Sequence, residues 1–234
     1  MKVDIWSDVI CPYCYIGKRK FEMALQQFPH KAKIEIEWHS FELDPRSKPE
    51  AGTNVYDYLA ERKGQSREWA EHVHEQVTQA ALQVGLVYNF DQAIVANTFD
   101  AHRLIQLAKN SNLGDIAEER LFKAYFTEGK NIADHGTLID LGKEIGLKEP
   151  AIREMFLSKA MEEEVRNDEA NAQILGIRGV PFFVLNNKYG ISGAQAPEMF
   201  LQALHKAWSE FEKVNSITKL GSDGADACSM EGEC

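Results

Sequence analysis

Two cysteines separated by two residues, Cys11 and Cys14, stand close to the beginning of the chain. They follow a short apolar strand pattern, Val3 to Trp6, and precede an amphipathic run from Tyr15 to Phe28 that predicts a helix. At a helix N-terminus, unpaired amide N–H groups and the positive end of the helix dipole stabilise a thiolate, which is the attacking species in disulfide chemistry. The pattern therefore predicts a redox pair, with Cys11 as the nucleophile and Cys14 as the thiol that closes or opens a disulfide with it.

The residues between the thiols are Pro12 and Tyr13. Proline at the first helical position loses no hydrogen bond, and we expect both residues to adjust the reduction potential of the pair. A Cys-x-x-Cys pair is also half of a zinc site, but a structural site with four ligands needs a second pair at suitable spacing. The other two cysteines, Cys228 and Cys234, lie near the far end of the chain. We therefore predict a redox pair and no metal.

A second feature is the approach to a strand far along the chain, from Ile177 to Leu185. Its Pro181 donates no ladder hydrogen bond, so it belongs at a strand start, and the bond before a proline is the one where a cis peptide is favourable. A Cys-Pro-x-Cys helix start combined with this Gly-Val-Pro strand resembles the thioredoxin superfamily, and within it the DsbA-like branch. Four further segments make the chain resemble the FrnE-type oxidoreductases of the DsbA family over about residues 1 to 215: Ser7 to Ile10, Ser40 to Pro45, Asn97 to Leu104 and Ile191 to Gln195.

The resemblance implies an α/β architecture, a thioredoxin fold interrupted by a large all-helical insertion. Residues 1–53 and 176–215 are predicted to form the thioredoxin-fold domain, residues 54–175 the inserted helical subdomain, and residues 216–234 a flexible tail that contains cysteines. The resemblance further implies that Pro181 is a cis-proline with a catalytic role. It implies that Val180 offers backbone groups to a bound peptide or thiol ligand.

The sequence pattern places individual elements within this fold. Helices are predicted to start at Ser66, at Asn97, at Gly114 and at Asp134. Residues 182–186 and 189–192 flank a turn of two asparagines and a lysine and predict a β-hairpin. A last helix is predicted from Pro197.

Several polar and aromatic residues are predicted to bind substrate beside the thiols. His39 and Phe41 follow the second strand, in a segment that the resemblance puts beside the cleft, although an exposed edge-strand histidine is the alternative. In the helix from Asn97, a core stripe leaves Phe99 and His102 on flanking faces, together with Arg103 and Gln106. There they would line a groove over Cys11 or form a solvated face. Pro12, Tyr13 and Val180 complete the predicted substrate-binding set.

The tail carries a further hypothesis. Cys228 and Cys234 are predicted to form a secondary redox pair that exchanges with Cys11 and Cys14, since a flexible tether gives a thiol a high effective concentration. Two incidental cysteines, or weak metal binding among carboxylates, are the alternatives.

The composition restricts the class of partner. The chain of 234 residues has a formal net charge of −10, which argues against a general nucleic-acid or membrane-surface binder. The first residues already form a strand pattern, so we expect no signal peptide and a cytoplasmic protein. The expected partners are proteins or small molecules that contain thiols or disulfides. No cofactor is expected beyond the cysteine pair, apart from glutathione as a co-substrate.

Three function classes follow. The leading one is a thiol-disulfide oxidoreductase or isomerase that uses the Cys-Pro-Tyr-Cys pair. The second is a glutathione-dependent isomerase or an enzyme like the kappa-class transferases, which resemble this architecture but generally carry serine at the position of Cys11. The third is a thiol-independent chaperone.

Overall fold

The computed structural model of the chain describes residues 1–47 and 53–215. Its centre is a four-stranded sheet in the spatial order β2-β1-β3-β4. The strands are β1 (Lys2–Ser7), β2 (Glu35–Ser40), β3 (Phe182–Leu185) and β4 (Tyr189–Ser192). β1 pairs with β2 in parallel, whereas the β1–β3 and β3–β4 pairs are antiparallel. Segments from the beginning of the chain and from beyond residue 180 therefore share one sheet, as the resemblance implies.

The described residues also form nine α-helices, numbered here in chain order. They are α1 (Pro12–Gln27), α2 (Val55–Lys63), α3 (Arg67–Leu82), α4 (Phe99–Lys109), α5 (Gly114–Phe126), α6 (His135–Glu144), α7 (Glu149–Leu157), α8 (Glu162–Ile174) and α9 (Pro197–Asn215). Helices α2 to α8 lie between β2 and β3 in the chain, and no described residue between those strands is in a β-strand. The predicted fold class, a thioredoxin fold with an all-helical insertion, is confirmed. The exact division into two subdomains stays an interpretation.

Helices α1 and α9 cover one face of the sheet. The residues that pack there are large and buried, and each contributes about 1.5–3 kcal/mol by leaving water. They include Ile5, Phe21, Phe28, Phe183, Phe200 and Leu204. This core fixes the position of α1 against β1 and β3, and so it fixes where the N-terminus of α1 lies.

The opposite face of the sheet is covered by α8. Trp6 packs there against Ala172 and Ile177, and its indole Nε1–H donates a hydrogen bond of 3.0 Å to the backbone carbonyl of Asp168. Strand β1 is consequently buried on both faces, which explains why nearly all of its residues are apolar or paired.

The capping signals in the sequence act as predicted at two helices. The Ser66 hydroxyl accepts a hydrogen bond from the backbone N–H of Trp69, and the Asp134 carboxylate accepts one from Thr137. Helix α4 begins at Phe99, slightly later than predicted, because Asn97 accepts the Phe99 N–H from outside the helix.

The predicted β-hairpin is also present, as β3 and β4. Asn186 and Asn187 in its turn both have left-handed backbone angles, with φ of 54° and 53°. Asparagine tolerates this conformation, which the tight turns of hairpins require.

No helix in residues 1–47 and 53–215 combines the length and the apolar character needed to cross a bilayer. The predicted tail, with Cys228 and Cys234, lies outside the described residues.

Candidate active site

Cys11 is the residue that caps the N-terminus of α1. Its backbone is extended, with φ −85° and ψ 111°, and Pro12 occupies the first turn of the helix, as the sequence predicts. The Cys11 N–H donates to the carbonyl of Asp8 at 2.9 Å, and the Cys14 N–H donates to the carbonyl of Cys11 at 3.0 Å. These bonds hold both thiols within the first turn, where the helix dipole favours a negative charge.

Both cysteines are free thiols, and they differ in their surroundings. Cys11 lines a cavity beside α1, whereas Cys14 is 1 % exposed and does not reach it. The Cys11 thiol donates to the backbone carbonyl of Val180, with 3.5 Å between sulfur and oxygen. The Val180–Pro181 peptide bond is cis, as the resemblance implies.

The close approach of α1 to the Pro181 segment depends on Gly17. A Cβ atom at this position would lie 3.0 Å from Cγ of Pro181 and 3.5 Å from Cζ of Phe183. A larger residue would push the helix away from β3, because backbone elements on both sides are held in the core. Gly17 therefore allows the two segments of the site, which are distant in the chain, to meet.

Cys14 lies against a set of buried polar side chains. Burial raises the pKa of the Cys14 thiol well above its ordinary value, and the neighbouring Cys11 raises it further. Hydrogen bonding to Asp8 and Ser7 acts in the opposite direction. The Ser7 hydroxyl in turn donates to the Glu118 carboxylate at 2.6 Å. Ser7 is thus a neighbour of the buried thiol and the hydrogen-bond partner of a carboxyl group supplied by α5.

We call Ser7, Asp8, His102 and Glu118 the buried polar cluster. Burial raises the pKa of Glu118 to about 7. Burial alone lowers the pKa of His102, but Asp8 and the charges of Glu118 and Glu42 raise it above its ordinary value. Nε2 of His102 lies 3.4 Å from Oδ1 of Asp8, and neither ring nitrogen has a hydrogen-bond partner in the described residues. Glu118 is therefore a group of this cluster that exchanges a proton near neutral pH.

Sequence reasoning missed Glu118 altogether. It named Ser7 and Asp8 only within the segment from Ser7 to Ile10 that contributes to the family resemblance. The charge of Glu118 was a usable signal, since an acidic residue placed on the apolar side of a helix is rarely left without a partner. What the sequence lacked was the information that α5 packs beside the first strand.

The cavity beside Cys11 has a volume of about 370 Å³ and lies between the first turn of α1, α2 and α3. Pro12 and Tyr13 also line it, and their predicted contact with substrate stays a prediction. Most of the other lining side chains are apolar: Ile10, Leu43, Val55, Leu59, Val73, Val77, Phe90, Val95 and Ala96. A thiol at the wall of an apolar cavity of this size suits a small ligand or an extended side chain.

The prediction that His39 lines the cleft is wrong. Its Nδ1 lies 2.6 Å from Asp168 and its Nε2 lies 2.8 Å from Asp4, while its ring stacks on Trp6 at 4.4 Å between ring centroids. His39 therefore ties the sheet to α8, away from the cavity. Phe41 does not line the cavity, but it packs against the same cluster as Val180, so its predicted place beside the site stays a prediction.

Phe99 and His102 do not line the cavity either. The guanidinium of Arg166 lies over the Phe99 ring, 4.3 Å from the centroid of that ring. His102 is buried in the polar cluster. Arg103 donates to the carbonyl of Ser158 and to two other carbonyls near the end of α7. Gln106 donates to Ser40 and Asp168. The helical pattern identified a buried stripe but could not show that further helices cover the flanking faces of α4.

A group of potential metal ligands, Asp4, Glu37 and His39, lies on strands β1 and β2 of the sheet. Lys2 pairs with Asp4 at 2.8 Å and with Glu37 at 2.5 Å, and Lys109 pairs with Glu37 at 3.0 Å. The ammonium groups occupy the position that a cation would take. The group is an ion-pair network.

Comparison with known proteins bears on the identity of this site. The DSBA-like thioredoxin domain family matches residues 2–205 of the chain. The chain belongs to that family. A probable DsbA oxidoreductase from Streptomyces coelicolor is 38% identical, covers 99% of this chain and 97% of its own, and superimposes with a TM-score of 0.85.

Further proteins match the chain at lower identity. The uncharacterized protein YwbO of Bacillus subtilis is 28% identical over 86% of this chain and 94% of its own length. The cytosolic disulfide reductase DsbM of Pseudomonas aeruginosa is 15% identical over 90% of this chain and all of its own, with a TM-score of 0.61. A 2-hydroxychromene-2-carboxylate isomerase is 15% identical over 92% of this chain and all of its own, with a TM-score of 0.68. At 15% identity, these last two show a common fold.

Proposed function

We propose that this DsbA-family protein is a thiol-disulfide oxidoreductase or isomerase in which Cys11 is the nucleophile and Cys14 the resolving thiol. The observation that carries the proposal is the asymmetry of the pair, since Cys11 lines the cavity and Cys14 is buried behind it. Only one of the two sulfurs can meet a substrate, and the other is placed to displace it.

The reaction proceeds in two exchanges. The Cys11 thiolate attacks one sulfur of a substrate disulfide, the substrate S–S bond breaks, and the first substrate thiolate leaves with the electron pair. The Cys14 thiolate then attacks the sulfur of Cys11, and the mixed disulfide breaks to release the second thiolate. The substrate gains two electrons, the cysteine pair loses two, and the same steps in reverse oxidise a substrate dithiol.

The second exchange requires Cys14 to lose a proton in an apolar environment. We propose that this proton passes from the Cys14 thiol through the neighbouring Ser7 hydroxyl, which donates to the Glu118 carboxylate at 2.6 Å. A carboxyl group with a pKa of about 7 accepts a proton at neutral pH and returns it when the pair is reduced again. Glu118 is proposed as the proton acceptor for Cys14.

Val180 and Pro181 complete the proposed site. Because the carbonyl of Val180 lies beside the Cys11 sulfur, the backbone of this segment is available to a partner chain bound as an extra strand. The proposed partners are proteins or small molecules that contain disulfides or thiols. We also propose a cytoplasmic location, as for the disulfide reductase that shares the fold.

Glutathione is proposed as a co-substrate that exchanges with Cys11, and a structure of DsbM with glutathione supports this idea by analogy of fold. A glutathione-dependent isomerase remains the second candidate, because one protein that shares the fold is a 2-hydroxychromene-2-carboxylate isomerase. The two candidates differ in the role of Cys14, which an isomerase that only orients glutathione would not need.

The test is a comparison of Cys11→Ser and Cys14→Ser, each with Cys228 and Cys234 replaced by serine. Cys11→Ser should abolish reduction of insulin, and Cys14→Ser should accumulate a mixed disulfide at Cys11 that mass spectrometry detects. Retention of full disulfide exchange by Cys11→Ser would refute the proposal. Isomerisation of a chromene-type substrate with glutathione, without any disulfide exchange, would favour the second candidate.

A further inference from the structure

The cavity beside Cys11 has the features of a binding site for a small molecule. Its volume of about 370 Å³ is that of a pocket for a compact organic ligand, and its walls are mostly apolar. Helices α2 and α3 of the insertion form its outer wall, opposite the first turn of α1. A ligand in this space would contact Cys11 directly.

One polar group inside the cavity lacks a partner. Tyr125 is 7 % exposed and lines the cavity, and its hydroxyl makes no hydrogen bond within the described part of the chain. Burial raises the pKa of this hydroxyl, and nearby Asp8 and Tyr58 raise it further, so it stays protonated and can donate. Since Tyr125 lines the cavity, its hydroxyl is available to donate to a ligand oxygen there.

The charged groups at the cavity favour an anion. Arg62 is already engaged by Asp44, at 3.1 Å, and by the carbonyl of Leu43. Lys63 also lines the cavity, and it has no ion-pair partner among the residues that the structure describes. Lys63 is exposed at the edge of the cavity, so its ammonium group is available to an anionic group of a ligand.

A neighbouring cavity provides a contrast. It has a volume of about 410 Å³ and shares His74 and Phe90 with the first, but no thiol lines it. Its one arginine, Arg67, is paired with Asp57 and Glu71, and further carboxylates line the same space. An anionic ligand that reacts with a thiol therefore fits the first cavity and not the second.

We infer that the cavity beside Cys11 binds a low-molecular-weight disulfide that carries a carboxylate and an apolar group about the size of an aromatic ring. Lys63 pairs with the carboxylate, and Tyr125 donates a hydrogen bond to a ligand oxygen. The inference rests on the proposed function and names a substrate class for it. Cys11 attacks one ligand sulfur and expels the first thiolate. Cys14 then attacks Cys11 and expels the second, so the ligand disulfide is reduced to two thiols while the cysteine pair is oxidised.

The test uses the full chain with Cys228→Ser and Cys234→Ser, reduced beforehand, so that one turnover needs no other reductant. Three disulfides separate the contributions of ring and charge: dithiobis(nitrobenzoate), which is aromatic and anionic, dithiodipyridine, which is aromatic and neutral, and hydroxyethyl disulfide, which has no ring. Insulin serves as the protein disulfide. The rate of Cys11 alkylation by iodoacetamide corrects for changes in thiol reactivity, and thermal unfolding checks the fold of each variant.

Lys63→Glu should slow exchange with dithiobis(nitrobenzoate) about fivefold and leave dithiodipyridine within twofold, because only the first ligand carries charge. Tyr125→Phe should slow exchange with the same anionic ligand about threefold, through the lost hydrogen bond. Val73→Trp, which fills the cavity from α3, should slow both aromatic disulfides at least tenfold and leave hydroxyethyl disulfide unchanged. Lys31→Glu and Tyr56→Phe, which lie outside this cavity, are the matched controls and should change nothing.

The outcomes separate the inference from the function on which it rests. Equal slowing of insulin and of the aromatic disulfides by Val73→Trp would assign the cavity to protein substrates and overturn the inference. Unchanged rates in all three cavity variants would also overturn it, while the proposed function would stand as long as Cys11→Ser abolished exchange. Exchange that survives Cys11→Ser would instead remove the proposed function.

Discussion

The sulfur of Cys11 lies 3.5 Å from the backbone carbonyl oxygen of Val180, a residue 169 positions further along the chain. The contact joins the N-terminus of α1 to the start of β3, and it exists because β3 pairs directly with β1. The sulfur is thus aligned beside a backbone segment that can hold a partner. The relation between the two residues depends on how closely α1 approaches the loop before β3.

Gly17→Val is predicted to disturb this relation. The added side chain would clash with Pro181, because a Cβ atom at position 17 would already lie 3.0 Å from Cγ of Pro181. Overpacking of this kind costs about 1–3 kcal/mol of unfolding free energy. Moving the helix away from Pro181 should also slow disulfide exchange with insulin. Urea unfolding and the insulin assay measure the two effects.

The matched control for that substitution is Gly179→Ala, because a Cβ atom there meets no other atom within 4 Å and the residue is not in the left-handed region. It should leave stability and exchange close to wild type. Similar losses in both variants would show that the loop, and not the helix contact, sets the geometry.

Glu118→Gln is predicted to stabilise the protein at alkaline pH. Burial holds the pKa of Glu118 at about 7, above its ordinary value of 4.5. The unfolded chain therefore ionises first, and stability is lost as pH rises from 4.5 to 7. Glutamine has no such loss, so the variant should gain about 3 kcal/mol relative to wild type above pH 7 and nothing below pH 4.5.

Urea unfolding of both proteins between pH 4 and pH 9 measures the difference. The same variant should slow the release step that depends on Cys14, and leave the alkylation of Cys11 unchanged. A stability difference that is constant across this pH range would refute the raised pKa of Glu118.

His39→Phe is predicted to destabilise the protein most at low pH. The phenyl ring keeps the stacking on Trp6, but Asp4 and Asp168 lose their shared partner. Burial alone lowers the pKa of His39, and its hydrogen bonds to these carboxylates raise it above 6.5. The stabilisation is therefore fully present below pH 6.5 and is lost as pH rises through the pKa of the folded state. The cost should be about 3 kcal/mol at pH 5.5 and smaller at pH 9.

Denaturant unfolding at the two pH values measures this cost, with His72→Gln, on the exposed side of α3, as the control. Disulfide exchange should stay within twofold of wild type in His39→Phe, because His39 does not line the cavity beside Cys11. A large loss of exchange without a loss of stability would return His39 to the cleft, where the sequence had placed it.

The tail hypothesis leads to a prediction that depends on the sequence alone. Removal of the residues after Lys219 deletes Cys228 and Cys234. If these thiols exchange with the Cys11–Cys14 pair, truncation should slow turnover with a bulky or slowly reducing partner, because the tethered thiols are lost. The alkylation of Cys11 should not change. Equal turnover of both forms, with no trapped disulfide between tail and active site, would exclude the exchange.

The parts of the fold that local chemistry determines were predictable. The cap at Ser66, the cap at Asp134 and the two asparagines of the hairpin each act through neighbouring backbone groups, so the sequence near them contains the information. Cys11 at the N-terminus of α1 belongs to the same class. A pattern over a few residues was sufficient in each case.

Residues whose surroundings come from distant helices were predicted poorly. His39 was assigned to a cleft because nothing in the sequence indicates that Asp168 of α8 meets its ring. Glu118 was overlooked because its partner Ser7 lies 111 positions earlier. His102 was placed on an open face because the packing that buries it involves other strands and helices. Charge and periodicity identify which residues are unusual, but only the packing of helices against the sheet shows what they contact.

The pairing of β3 with β1 also has a consequence for biosynthesis. The ribosome releases Cys11 and Cys14 early, whereas the segment that contacts Cys11 follows 169 residues later, roughly 8 to 34 seconds at about 5–20 residues per second. Through that interval the nascent chain carries the dithiol without the strand that will border Cys11, while helices α2 to α8 emerge one after another. An oxidant present during translation would therefore reach both thiols before the segment that borders Cys11 has been made.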